Sequence, residues 1–288
     1  VLATDTQPGV FRDDTRVDVD IDRIAIEVNR GPFPLHEDDI YVSSPNSKPK
    51  RVTEGGAPTW SPDGSEIAYC LRDQAGIIQI EVIRAHGSGH KQLTHLKEAA
   101  CLPDWSPDGT KIAFSFYGNK VASIFVMDKN GGNVTEIASG DRPKWSPDGQ
   151  RLAFIRNPTR RGETSSIWVV NANGTDPRKV VDDNSEVVEI SWFPDGKSIA
   201  FCSTRGKKRK SALFRVSIDS GEVEPIAEHP KLALYFPVIS PDGKKVVVDA
   251  FSEGAREHYL LLLDLDTHEG TVLARGGGLH PSVIWKKR

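Results

Sequence analysis

One short phrase recurs five times in this chain and limits what it can fold into. It reads Trp60-Ser-Pro-Asp-Gly64, Trp105-Ser-Pro-Asp-Gly109, Trp145-Ser-Pro-Asp-Gly149, Trp192-Phe-Pro-Asp-Gly196 and Ile239-Ser-Pro-Asp-Gly243, with steps of 45, 40, 47 and 47 residues. A period of roughly 40–50 residues with strand-like patterning is the mark of a propeller or a similar repeat array. The 288 residues hold six such units, a length that all-β rings reach as one domain.

Each unit obeys the same local rules. A short strand ends in the Trp, and Ser-Pro-Asp-Gly then turns the chain. Ser suits the first position of a type I turn, Pro presets φ at the second, Asp tolerates the third, and Gly takes the left-handed position that follows. A second strand comes next, as in Lys111-Ile-Ala-Phe114 or Arg151-Leu-Ala-Phe154, then a third such as Ser166-Ile-Trp-Val-Val170. An Asn/Asp/Gly turn, for example Asn171-Ala-Asn-Gly174, leads to a fourth. The strands are apolar or alternating because sheets stacked in a ring are covered on both faces, and no long window has helical periodicity. The expected fold is all-β: a six-bladed propeller of four-stranded antiparallel blades.

The ends decide how the ring closes. Residues 23–28, 39–43 and 50–53 match strands two, three and four of a unit that lacks its own first strand. Leu279-His-Pro-Ser-Val-Ile-Trp285 resembles a first strand with nothing after it. The simplest account closes the ring with this C-terminal strand, which removes exposed sheet edges; the rival account uses Arg16–Ile21. Residues 1–21 are then an N-terminal extension and 22–288 a single propeller, expected as a monomer. Cys70 and Cys202 hold equivalent places in units three apart and Cys101 lies elsewhere in its repeat, so free buried thiols rather than a disulfide are expected, and the redox compartment stays open.

The phrase followed by Lys/Arg-Ile/Leu-Ala-Phe resembles the TolB-type, WD-like β-propeller repeat, from about Asp22 to Trp285. True WD repeats carry Gly-His and Trp-Asp dipeptides, and these are missing. The resemblance implies a six-bladed propeller with an open central channel, common in bacterial extracytoplasmic proteins, and hence a periplasmic or extracellular location. TolB proteins also carry an N-terminal α/β domain, which these residues do not hold. Similar propellers precede the catalytic domain of prolyl-oligopeptidase-like enzymes, but no Gly-x-Ser-x-Gly elbow is present here.

A net charge of −3 offers no global attraction to nucleic acid or an anionic membrane, and no apolar run is long enough for a transmembrane helix. The chain opens on Val1 without a signal-peptide pattern, which fits a mature exported protein or a shortened one. The dense basic runs, Thr204–Lys210 and Arg156–Arg161, lack interleaved aromatics and read as solvated loops on one rim, with an acidic partner as the other reading. Asp18, Asp20 and Asp22 alternate with apolar residues as a half-exposed strand does; the Gly and distal Glu of a calcium loop are absent.

First strands line a propeller channel, so ligand contacts should concentrate just before the Pro or its equivalent. These positions hold Ala57, Leu102, Arg142, Glu189, Phe236 and His280, with Asp104, Asp141, Glu186 and Tyr235 close by. Arg142, Glu189, Phe236, His280, Tyr235 and Asp104 are the candidate ligand-binding set. Such a mixed apolar and polar mouth suits a small molecule or a peptide terminus. None of the eight histidines makes a metal-binding spacing, and His86, His90 and His95 sit in a Gly-rich hairpin unsuited to a cage. No cofactor or metal is expected, although Glu189 and His280 is the pair to watch for one. The related oligogalacturonide lyases hold a metal with channel histidines, of which this chain has one. The expected function is a non-enzymatic binding or protein-interaction module using the channel and rim. The alternative is a hydrolase or lyase acting on a small polar or carbohydrate-like substrate at the channel mouth, with or without a metal.

Overall fold

The computed structural model describes residues 21–28, 38–44, 47–118, 120–158, 164–182, 186–204, 211–255, 257–275 and 280–286. Asp18, Asp20, Arg160, Arg161 and most of the 204–210 run lie outside the described residues, as does the proposed N-terminal extension up to residue 20.

Six four-stranded antiparallel sheets form the fold. Blade 1 contains β1 (Ile21–Val28), β2 (Asp39–Ser43) and β3 (Lys50–Glu54). Blade 2 contains β4 (Gly56–Trp60), β5 (Glu66–Arg72), β6 (Ile78–Arg84) and the two-residue β7 (Lys91–Gln92). Blade 3 follows with β8 (Ala100–Trp105), β9 (Lys111–Phe116), β10 (Ser123–Asp128) and β11 (Thr135–Ser139). Blade 4 has β12 (Asp141–Trp145), β13 (Arg151–Arg156), β14 (Ser166–Asn171) and β15 (Arg178–Asp182). Blade 5 has β16 (Val187–Trp192), β17 (Ser198–Ser203), β18 (Ala212–Ser217) and β19 (Val223–Ala227). Blade 6 has β20 (Leu232–Ile239), β21 (Lys245–Ser252), β22 (Glu257–Asp264) and β23 (Gly270–Arg275). The last strand, β24 (Pro281–Trp285), returns to blade 1 and pairs with β1 from Ile26↔Pro281 to Ile21↔Trp285. The C-terminal strand closes the ring, and Ile21 belongs to β1 rather than to an inner strand. No helix among the described residues is long and apolar enough to cross a membrane.

The core is divided among the seams. Six apolar clusters each join one blade to the next, from Ala25, Ile40, Trp60 and Tyr69 between blades 1 and 2 to Ile24, Ile26, Val247 and Leu260 between blades 6 and 1. The second strands carry the largest buried side chains, Tyr69, Phe114, Phe154 and Phe201; burying each phenylalanine is worth about 2–3 kcal/mol over exposure. The expected turn geometry holds in all five phrases. Gly64, Gly109, Gly149, Gly196 and Gly243 have φ of 63–73°, and each glycine N–H donates to the carbonyl of the first turn residue at 2.8–3.0 Å.

One expectation is corrected. Cys70 and Cys101 form a disulfide with Cα atoms 5.3 Å apart, and only Cys202 is a free, buried thiol. Cys70 lies near the end of the second strand of blade 2 and Cys101 in the first strand of blade 3, so the repeat offset that separates them in sequence is what brings them together across a seam. Comparing only equivalent positions hid this, because neighbours in a propeller pair the outgoing end of one inner hairpin with the incoming strand of the next.

Candidate functional site: the channel mouth

At each blade the chain enters the channel just before the Pro or its equivalent. Ala57, Leu102, Arg142 and Phe236 adopt left-handed backbone there, with φ of 48–58°, and the inner-strand register shifts at the same places. These are β-bulges, which re-aim a side chain and leave a backbone group in need of a partner.

For Ala57, Leu102 and Arg142 a partner comes from the preceding blade. Ala57 N–H donates to Glu27 Oε2 at 2.7 Å, Leu102 N–H to Cys70 Sγ at 3.2 Å, and Arg142 N–H to Ser115 Oγ at 3.0 Å. Glu27, Cys70 and Ser115 occupy the same position near the end of a second strand. In blade 4 that position is Ile155, which has no acceptor to offer. The following blade responds: Glu189 is not left-handed, it pairs directly with Cys202, and the bulge moves one residue earlier.

The side chains so aimed fall into three sectors. Ala57 and Leu102 are apolar. Arg142 Nη1 donates to Glu189 Oε2 at 2.7 Å across the seam between blades 4 and 5. The rings of Phe236 and His280 lie against each other with centroids 3.6 Å apart. Two residues along the inner strands, Lys144 Nζ stands 3.7 Å from Asp104 Oδ1 and 3.8 Å from Glu189 Oε1, while Asp104 Oδ2 accepts the Trp145 N–H at 2.8 Å. The channel holds a cavity of about 380 Å³ lined by all of these residues. Of the candidate set, Arg142, Glu189, Phe236, His280 and Asp104 thus meet on the axis. Tyr235 is not among the lining side chains; it sits beside its strand partner Asp249.

Protonation follows from burial and neighbours. Burial pushes His280 down to about 4, against the pull of Glu189, so its imidazole is neutral at pH 7. Burial also pushes the Glu27 carboxyl up to about 8, helped by a hydrogen bond with Asp38 and opposed by the Ala57 N–H. Its Oε2 lies 3.6 Å from His280 Nδ1. Burial acts to raise Glu189, but Lys144, Arg142 and His280 outweigh it and hold the carboxylate below its usual range. Asp104 stays raised, because burial exceeds the help from Lys144 and the Trp145 N–H.

Glu27 and Lys144 are the site residues that the sequence reading missed. Lys144 had a signal: it lies two residues after Arg142, and side chains two apart on a strand share a face. Glu27 had none, since it belongs to a second strand and reaches the mouth only through the seam. Elsewhere, His90 Nε2 lies 2.9 Å from the buried Glu81 carboxylate, so it is paired with protein rather than simply solvated. His258 Nδ1 lies 2.9 Å from buried Asp249. No group of three His, Cys, Asp or Glu that could hold a metal ion exists among the described residues.

Comparison with known proteins bears on the fold. Over 65 residues the chain is 32% identical to the Tol-Pal system protein TolB of Legionella pneumophila, a match covering 23% of this chain and 15% of that protein. The chain thus spans only a small part of the length of the curated relatives it matches. Among solved structures, TolB from Acinetobacter baumannii superposes with a TM-score of 0.75 at 21% identity, covering 91% of this chain and 66% of that one. A putative TolB from Agrobacterium tumefaciens gives 0.68 at 19% identity, covering 91% and 98%. Oligogalacturonate lyase from Vibrio parahaemolyticus gives 0.59 at 15% identity, covering 88% and 79%. The TolB beta propeller domain model matches residues 140–283, half of the chain. Five turn phrases in register, six closed blades and that match together place this chain in the TolB β-propeller family.

Proposed function

We propose that this chain is a non-enzymatic binding module that takes a protein or small-molecule ligand at its channel mouth and rim. The observation that carries the reading is the contrast on each inner strand between a repeated turn and a varied mouth residue. Arg142, Glu189, Phe236 and His280 differ in chemistry yet converge on one axis, an arrangement suited to fixing a ligand's orientation. Kinship with TolB propellers supports the module reading, and the matched Legionella protein is one component of a Tol-Pal system. The disulfide between blades 2 and 3 supports an oxidising compartment, periplasmic or extracellular. The module works as a monomer, with residues 1–20 as an extension and the propeller beginning at Ile21 of β1.

The test is photo-crosslinking in the source organism. A benzophenone amino acid replacing Leu102 or Phe236 should capture a discrete partner, and one replacing Lys129, at the opposite end of the ring, should not. Capture from Lys129 alone would overturn the reading. A second reading, a hydrolase or lyase for a small polar or carbohydrate-like substrate, is favoured by one observation: Glu27 protonated and His280 neutral at pH 7, side by side at the mouth. Such opposed shifts are typical of acid and base pairs. Turnover of a glycoside or uronide that is lost in both Glu27→Gln and His280→Gln would move the assignment to it.

A further inference from the structure

The cations and the carboxylates of the mouth are not equally presented to solvent. Arg142 and Lys144 side chains are 27% and 33% exposed, whereas Glu189 and Asp104 are 8% and 19% exposed. Glu189 is engaged by the Arg142 guanidinium and Asp104 by the Trp145 N–H. The cations are less committed. Arg142 uses only Nη1 among the described residues, and the Lys144 ammonium has carboxylate oxygens no nearer than 3.7 Å, too far for a direct hydrogen bond. An arriving ligand therefore meets positive donors first, with the acids recessed behind them. Beside these donors lies the tilted ring pair of Phe236 and the uncharged His280, their planes 55° apart.

Resting on the channel-binding reading, we propose that the mouth recognises a peptide carboxylate, seated between Arg142 and Lys144, with an adjoining apolar or aromatic side chain against the Phe236–His280 pair. The remaining guanidinium edge and the ammonium supply charge-assisted hydrogen bonds, about twice as strong as neutral ones. The recessed acids keep both cations oriented when the site is empty. A C-terminal carboxylate and an Asp or Glu side chain offer the same chemistry.

Three short probes separate these sources: N-acetyl-Phe-Gly with a free C-terminus, N-acetyl-Phe-Asp-amide, and the neutral N-acetyl-Phe-Asn-amide. Each is titrated into the intact isotope-labelled chain and followed by amide NMR shifts. One or both acidic probes should shift the amides of Arg142, Lys144 and Phe236, binding at least roughly tenfold tighter than the neutral probe. Lys144→Met should erase that preference and Lys144→Arg should keep it, with unchanged thermal melts confirming that both fold. Equal binding of the neutral probe at the mouth would overturn carboxylate recognition while leaving the channel reading intact. Absence of binding by all three probes, or shifts confined to other surfaces, would overturn the proposal, and the crosslinking result decides the channel reading separately.

Discussion

The two ends of the inner strands are built by different rules. At the turn end, each phrase satisfies itself within a few residues. Ser61, Ser106, Ser146 and Ser240 donate to the Asp two positions on at 2.6–2.7 Å, and those carboxylates also accept the following backbone N–H. Adjacent turns then nest: a β-carbon on Gly109 would sit 3.6 Å from Pro62, and one on Gly149 3.3 Å from Pro107. At the mouth end, the left-handed Ala57, Leu102 and Arg142 rely on the blade before them, and the acceptor is Glu27, Cys70 or Ser115 as the seam provides. Local satisfaction lets a motif repeat unchanged. Satisfaction across a seam leaves the projecting side chain free to vary, provided some neighbour completes the backbone.

The largest effect should break stability without touching the mouth. Phe114→Ala removes a fully buried ring that does not line the channel cavity and should cost about 3–5 kcal/mol, read by denaturant unfolding, while ligand binding at the mouth persists in the folded fraction. Nearly as large, Cys70→Ser with Cys101→Ser opens a crosslink spanning 31 residues, with an expected loss of about 3–4 kcal/mol from chain entropy. Unlike that core change it should also move the Leu102 amide resonance in the native state, because a hydroxyl, the acceptor that Ser115 supplies at the next seam, replaces the Cys70 Sγ facing the Leu102 N–H. A still smaller loss, about 1 kcal/mol, is expected for Ser115→Ala; Arg142 N–H retains Asp141 Oδ1 at 2.9 Å as a second acceptor.

The subtlest contrast is in pH. The Asp63, Asp108 and Asp148 turn carboxylates are held low by the Ser hydroxyl and the N–H two residues on, Asp63 to about 2, so their stabilisation is present above the unfolded value and fades as pH falls, for Asp63 through roughly 4 to 2. The mouth has the opposite sign at Glu27. Its stabilisation is present below its unfolded value of 4.5 and is lost as pH rises toward 8. His280, lowered from 6.5 to about 4, contributes above 6.5 and loses that as pH falls to 4. Glu27 and His280 therefore oppose each other between about 4.5 and 6.5, and Glu27 acts alone from there to 8. Glu27→Gln should flatten the decline in melting temperature between pH 6.5 and 8 relative to the parent chain. An unchanged slope would show that the mouth carboxyl titrates normally.

How much of this was legible depends on the range of the interactions. Strand order, turn type and the positions of Arg142 and His280 follow from the repeat, because turn chemistry and alternation act over a few residues. Even the closing strand could be recognised, since the sequence of Leu279–Trp285 reads as an inner strand without its blade. The Cys70–Cys101 bond, the Glu27–His280 contact and the shifted bulge before Glu189 could not, because each depends on residues of different units. Ile155 illustrates the limit: its sequence context is that of an ordinary strand, and its effect appears only one blade later.

The sequence by itself determined a ring of six blades and which residue each inner strand offers to the axis. The tertiary structure decided which of those residues touch, which carboxyl keeps its proton, and that two cysteines from different blades are joined. Those outcomes depend on distances and desolvation across the seams between blades, which exist only once the ring has closed.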